Sequence, residues 1–198
     1  GTASAFGGVS ENLNGFGIPA GCCSDGPSGM RLDCGTKAFS LPNGTMIASS
    51  FNKELTSELF TFMGLEMAAN KVDCLLGPGM NIHRHPLNGR NFEYFSEDPF
   101  LTGKMAAAEL KGMAGAGGAG TIKHFYANNR ETNRHFIGSV VSERALREIY
   151  LKGFEIAVKE GGASSVMTTY GIVNGLWTAG NFDLNTVILR EEWGFKGF

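Results

Sequence analysis

Four times along this chain a short apolar run gives way to a polar, glycine-punctuated loop and then to a segment with helical spacing, and this alternation restricts the possible folds more than any other feature. The runs are Gly17 to Cys23, Val72 to Leu76, Ala119 to Lys123 and Ser164 to Thr168, each bounded by turn formers such as Gly77-Pro78-Gly79. The first helix is expected over Asn52 to Lys71, with Asn52 as N-cap and Leu55, Leu59, Phe62, Met63 and Met67 on its apolar face. Pro99 suits the first turn of a second helix reaching about Met113, which the glycine-rich stretch GAGGAG then stops. Ser142 can cap a third, with Leu146, Ile149, Tyr150, Gly153, Phe154 and Ala157 inward, ended by Gly161-Gly162. Asp183 is expected to cap a last helix running through Leu189 towards Trp193, and Gly194 to Phe198 reads as the start of another strand.

Strand, loop and helix in repetition form a parallel α/β fold. An open doubly wound sheet and part of an eightfold barrel both satisfy the pattern. The chemically interesting residues follow the C-terminal ends of several different strands, as barrel active sites require, whereas an open sheet gathers its ligands near one switch point. The expectation is therefore an incomplete (β/α)8 TIM-type barrel of about four to five β/α units. Residues 1–198 form one fragment of a barrel domain, with 1–16 as a loop lead-in.

Bulk properties exclude several partners. The chain has 198 residues, 42% hydrophobic and 18% charged, with a net charge of -2. It carries no basic stripe of the kind that phosphate backbones need, so no nucleic-acid partner is expected. No apolar run approaches the ~20 residues of a bilayer-crossing helix, so no membrane partner is expected either. The opening stretch GTASAFGGVSENLNGFG lacks the charged-then-apolar pattern of a signal segment. Cys22, Cys23, Cys34 and Cys74 contain no CxxC pair and read as small buried hydrophobes in strands, which favours a reducing, cytoplasmic setting.

Five loop clusters carry chemistry: Asp25 to Arg31, Arg90 to Glu93, Lys123-His124, Arg134 and Tyr170. If their strands are neighbours, one mouth gathers a carboxylate, cations, an imidazole and an aromatic ring. Sugars suit such a mouth, because vicinal hydroxyls both donate to carboxylates and accept from Lys and Arg. A charged hydrogen bond contributes ~1.5–3 kcal/mol, so a few of them orient one pyranose. Taken singly, each residue has a bland reading. Asp25 can stabilise a tight turn, Arg90 can pair structurally with Glu93, Glu97 or Asp98, and Tyr170 can lie in the core with its hydroxyl at the edge. His124 can be a satisfied structural histidine and Arg134 a solvated one among loop arginines; a Lys at a strand end in a barrel mouth, as Lys123 is, is harder to dismiss. His83-Arg84-His85 invites a metal reading, but Pro86 follows at once and no acidic ligand has a recognised spacing, so neither metal nor cofactor is expected. The glycine stretches lack GxxxxGK[ST], which removes a phosphate loop.

Together SDGPSGMR (24–31), GPGMNIHRHPLNGRNFEYFSEDPFLTG (77–103), KHFYANNRETNR (123–134), SVMTTYGIVNG (165–175) and LREEWGFKGF (189–198) resemble glycoside hydrolase family 3. The resemblance implies that Asp25 accepts hydroxyls on the far side of a glucose ring. Arg90, Lys123, His124 and Arg134 complete the polar grip, and Tyr170 sits beneath the reacting centre. Members acting on N-acetylglucosamine typically show KHFPGHG, where this chain has KHFYANN, and xylosidase-like members often carry Glu at the Asp25 position. Both differences point to a β-glucosidase.

By the same resemblance, the nucleophilic Asp is expected just after Phe198 and the acid/base Glu in a separate domain, so no catalytic carboxylate is expected within this chain. The implied activity of the complete parent is retaining hydrolysis of terminal β-D-glucosyl residues. The implied partners are a β-glucoside or oligosaccharide, the remaining barrel half and a C-terminal α/β domain, and the fragment alone is expected to be inactive. The alternative is a non-catalytic carbohydrate-binding or scaffold half-domain.

Overall fold

A computed structural model of the chain describes residues 15–17, 21–32 and 34–198. In chain order the elements are β1 (Cys23–Asp25), α1 (Gly44–Ser49), α2 (Lys53–Ala69), β2 (Cys74–Leu76), α3 (Pro99–Gly115), β3 (Ala119–Phe125) and β4 (Gly138–Ser139). After these come α4 (Glu143–Ala145), a π-turn (Leu146–Tyr150), α5 (Lys152–Lys159), β5 (Ser165–Thr168), β6 (Ile172–Val173), β7 (Leu176–Trp177) and a π-wound final helix (Asp183–Glu192). The first apolar run falls partly on residues 18–20, and the lead-in largely on residues 1–14, which lie outside the described residues.

The main sheet has the order β1-β2-β3-β5, all parallel, with each strand beside the one before it in the chain. A doubly wound sheet reverses strand order at its switch point; this one advances in a single direction. Helices α2, α3 and α5 likewise pack in chain order, each on the next. This is the arc of a (β/α)8 barrel, strands inside and helices outside. The backbone of Phe198 pairs with the outer edge of β5, donating to Ser164 O at 3.2 Å and accepting from Val166 N at 2.9 Å; within the 194–198 segment, expected as the start of a strand, this pairing is made by Phe198 alone.

Local chemistry explains the element ends. Asn52 Oδ1 accepts from Leu55 N at 2.9 Å and Asp98 Oδ1 from Leu101 N at 2.6 Å, satisfying first-turn amides of α2 and α3. Ser142 Oγ accepts from Ala145 N at 3.3 Å at the start of α4. The expected stops hold as well: Gly117 and Gly162, at φ +87 and +68, let the chain turn off α3 and α5 directly into β3 and β5. At the final helix the cap is Asn181, whose Oδ1 accepts from Leu184 N at 3.1 Å; Asp183 lies inside the helix instead.

The core lies between sheet and helices. Phe60, Met63 and Met67 of α2, Met105, Leu110 and Met113 of α3, and Leu75, Ile122 and Phe125 of the strands are all buried. Strands β2 and β3 are buried on both faces, as parallel strands under a helical layer are. The expected face of α2 is partly corrected: Met63 and Met67 point inward, but Leu55 is 53% and Phe62 61% exposed, while Thr56, Phe60 and Gly64 are buried. Apolar residues lie on more than one side of this helix, and its small residue decides the seam. A Cβ added at Gly64 would lie 2.7 Å from Ala116 Cβ and 2.9 Å from Met113 O, so α2 presses this side against α3. In the α4–α5 segment Leu146, Gly153, Phe154 and Ala157 face the core as expected, but the π-turn shifts the helical phase and leaves Ile149 outside.

The cysteines also divide. Cys22 and Cys74 are buried, Cys23 is half-buried, and Cys34 is exposed outside any strand, which corrects the uniform reading. Cys74 belongs to a side-chain ladder across the sheet. Its Sγ lies 3.0 Å from Thr121 Oγ1, which donates to Ser165 Oγ at 3.0 Å, and Cys23 is the direct register partner of Cys74.

Candidate functional site

Asp25 ends β1, Lys123 and His124 lie near the end of β3, and Tyr170 follows β5 by two residues, so all stand at the C-terminal rim of the sheet. Arg90 comes from the loop after β2 and Arg134 from the loop after β3. Lys123 crosses to β1 and donates from Nζ to Asp25 Oδ1 at 2.8 Å, with its own side chain only 3% exposed. Arg31 approaches the other oxygen, Nη1 to Oδ2 at 3.6 Å. Burial pushes the Asp25 carboxyl up, but the Lys123 hydrogen bond and charge, the Gly26 amide and Arg31 outweigh it and hold the carboxyl below its ordinary value. Asp25 is therefore an ionised acceptor with 30% of its side chain open.

His124 is the hinge of the second half. Burial lowers its pKa, and the charges of Arg90, Lys123 and Arg134 lower it further, to about 2, so the ring is neutral. Asn81 clamps the residue's backbone, accepting from His124 N at 2.8 Å and donating to His124 O at 2.9 Å. The ring's proton position follows from its neighbours. The Glu131 carboxylate can only accept, so Asn128 must present Nδ2 to it, at 3.0 Å. The same Nδ2 donates to Tyr94 Oη at 3.0 Å, while Asn128 Oδ1 accepts from Thr169 Oγ1 at 3.1 Å. Tyr94 Oη, already an acceptor, turns its own proton to His124 Nδ1 at 3.2 Å. The imidazole proton then sits on Nε2, which is left as a donor.

The two arginines are held by carboxylates. Arg90 Nε donates to Glu93, and Arg134 Nη1 donates to Glu131 Oε2 at 3.0 Å. Each guanidinium keeps the rest of its planar fork for other oxygens. Arg134 lies over the Tyr170 ring, 5.3 Å from its centroid, and His135 packs against the same ring at 4.6 Å. Tyr170 is 53% exposed, so its reading as a core residue fails.

All six residues singled out from sequence thus stand at one rim. Asp25 is tied directly to Lys123, Arg134 directly to Tyr170, and His124 to Tyr94. Sequence reasoning missed the positioning layer of Tyr94, Asn81, Asn128 and Glu131. A buried tyrosine hydroxyl and buried amides demand partners, but which partners depends on loops that meet only in space. His83 and His85 have separate tasks: His83 Nε2 contacts Asn91 O at 2.8 Å, and His85 Nδ1 accepts from Leu87 N at 3.2 Å.

A β-glucosidase of Ruminococcus albus is 80% identical over 198 residues, covering 100% of this chain and 21% of the relative's length. A solved β-glucosidase from Paenibacillus barengoltzii superposes with a TM-score of 0.94 at 60% identity, over 97% of this chain and 21% of that one. The structure of β-glucosidase 3B from Thermotoga neapolitana in complex with glucose gives 0.95 at 48% identity, over 100% of this chain and 28% of that one. The chain therefore spans about a fifth of the R. albus relative's length. Residues 8–198 match the family described as glycosyl hydrolase family 3 N terminal domain, and to that family this chain belongs.

Proposed function

We propose that the chain supplies the glucose-gripping half of a retaining β-glucosidase, as residues 1–198 of one barrel domain whose remainder and C-terminal α/β domain provide the two catalytic carboxylates. The observation that carries this reading is the Lys123–Asp25 pair at the rim, a buried ammonium holding an ionised, partly open carboxylate. Asp25 accepts two vicinal hydroxyls of the terminal glucose, while His124 Nε2 and the free edges of Arg90 and Arg134 donate to its oxygens. Tyr170 forms the apolar floor beneath the anomeric carbon. The relatives named β-glucosidase and the glucose complex of the T. neapolitana enzyme support the choice of sugar.

In this mechanism one carboxylate attacks the anomeric carbon while a second carboxyl protonates the departing oxygen. Water then resolves the glycosyl intermediate. We assign the nucleophile to the residues that follow Phe198, because a strand extending the pairing that Phe198 makes with β5 would end at the same rim. The cluster of Arg90, Lys123 and Arg134 keeps a neighbouring carboxylate ionised, as a nucleophile must be.

The test compares the full-length protein with its Asp25→Ala variant on an aryl β-glucoside. Losing the anchored acceptor removes charged hydrogen bonds of ~1.5–3 kcal/mol each, so kcat/KM should fall at least about tenfold to a hundredfold. An unchanged kcat/KM would remove Asp25 from the sugar site. A glucosidase-inactive full-length protein that still binds glucose would favour the carbohydrate-binding reading instead.

A further inference from the structure

The cysteines have no part in gripping a sugar, yet two of them are placed to react together. Cys23 of β1 and Cys74 of β2 are direct register partners in neighbouring parallel strands. Register partners point to the same face of a sheet, and adjacent strands run about 4.8 Å apart. That spacing falls inside the window of roughly 4.4–6.8 Å that a disulfide needs between its Cα atoms. Cys22 does not compete for Cys74, because consecutive side chains on a strand point to opposite faces, and Cys22 packs in the hydrophobic core.

The two thiols are also hydrogen-bonded to each other. The bond acts to raise the pKa of Cys23 and to lower that of Cys74, as it must where Cys23 is the donor. Cys74 in turn donates to Thr121 Oγ1 at 3.0 Å, since the single hydroxyl proton of Thr121 is already given to Ser165 Oγ. Both cysteines are free thiols in this arrangement. Cys23 is half-buried and Cys74 buried, so a reagent meets Cys23 first.

We propose that Cys23 and Cys74 form a redox-active pair that closes into a disulfide across β1 and β2 by exchange with a small-molecule disulfide. Cys23 gives up its proton and its sulfur attacks one sulfur of the reagent; the reagent's S–S bond breaks and one half leaves as a thiolate with the electron pair. Cys74, deprotonated in its turn, attacks Cys23 Sγ in the mixed disulfide, and the second half leaves the same way. The two protein thiols thus lose two electrons and two protons, and the reagent takes up both as two small thiols. Closure ties β1 to β2 two residues before Asp25 and ends the Cys74–Thr121 contact, because Cys74 has no proton left to donate. Burial raises the Cys23 pKa to about 11, with Cys74, Cys22 and Asp73 adding to it, so the exchange is slow at neutral pH and quickens as pH rises.

The experiment holds the full-length protein with oxidised glutathione at mildly alkaline pH until exposed Cys34 has reacted. Remaining thiols are then alkylated with N-ethylmaleimide on unfolding in acid, and the peptides are mapped by mass spectrometry. The expected product is a peptide pair joined through Cys23 and Cys74 and parted by dithiothreitol. Cys74→Ala removes the resolving thiol, so Cys23 should retain glutathione at least about fivefold more than in the wild type. The wild-type map decides the matter whether or not the variant folds. A wild-type protein in which Cys23 keeps its glutathione, joins a cysteine other than Cys74, or is alkylated together with Cys74 overturns the proposal.

Discussion

Replacing Lys123 by Met tests the electrostatics of the rim most directly. The ammonium is 3% exposed and lies 2.8 Å from Asp25 Oδ1, so the substitution leaves a carboxylate in a half-buried place without its main partner. Removing one member of a fully buried pair costs roughly 3–5 kcal/mol. Asp25 keeps 30% of its side chain in solvent and has Arg31 at 3.6 Å. Those two features reduce the expected loss to about 2–3 kcal/mol. Asp25→Asn in the same background removes the stranded charge, so the double variant should be more stable than the sum of the two single losses, by about 1–2 kcal/mol. Because the folded Asp25 value lies below the unfolded one, the pair's contribution is complete above the unfolded value of about 4 and is lost as pH falls through the folded value. Lys123→Met should flatten that acid limb. Urea unfolding of the four proteins between neutral and acid pH measures all of this. Single-variant losses that add within about 0.5 kcal/mol, with an unchanged acid limb, would refute the coupling.

Two further outcomes are expected. Glu109 is fully buried in α3, and desolvation alone raises its carboxyl well above the ordinary value, so its stability contribution is complete below the unfolded pKa and declines by about 1.4 kcal/mol per pH unit above it, up to the folded value; Glu109→Gln should abolish that decline in urea unfolding across the neutral range, and an identical pH slope in both proteins would show that the carboxyl is solvated. Tyr94→Phe removes the donor to His124 Nδ1, leaving a buried acceptor unpaired at about 1–3 kcal/mol; a lower melting temperature and a mixed imidazole tautomer by NMR are expected, and a ring that keeps Nε2–H alone would contradict the proton chain from Glu131.

Much of this was legible in the residues themselves. Asn52, Asp98 with Pro99, and Ser142 act through their own helices, so their caps could be read locally. The rim residues were legible because each lies at or after the C-terminal end of a strand, and strand ends converge in a barrel. What escaped is what depends on a distant neighbour. Leu55 and Phe62 have the same spacing credentials as Phe60 and Gly64, and only the close approach of α3 chooses between the two faces. The three-stranded sheet of two-residue strands β4, β6 and β7 has no periodicity to detect. Asn128 looks like any loop amide until Tyr94 and Thr169 arrive around it from two other segments and meet Glu131 of its own loop.

The thiol and hydroxyl ladder across β2, β3 and β5 has a consequence for the rim. Side chains two apart on a strand share a face, so Cys23 lies directly below Asp25, and Thr121 below Lys123, one storey down inside the arc. The ladder works as a spirit level for the storey above. If β3 slipped by a single residue, Thr121 would swing to the helix side, its two contacts would part together, and Lys123 would turn its ammonium away from the carboxylate it now reaches. Correct assembly of the Asp25–Lys123 rim is thereby written into a row of small polar side chains one storey beneath it.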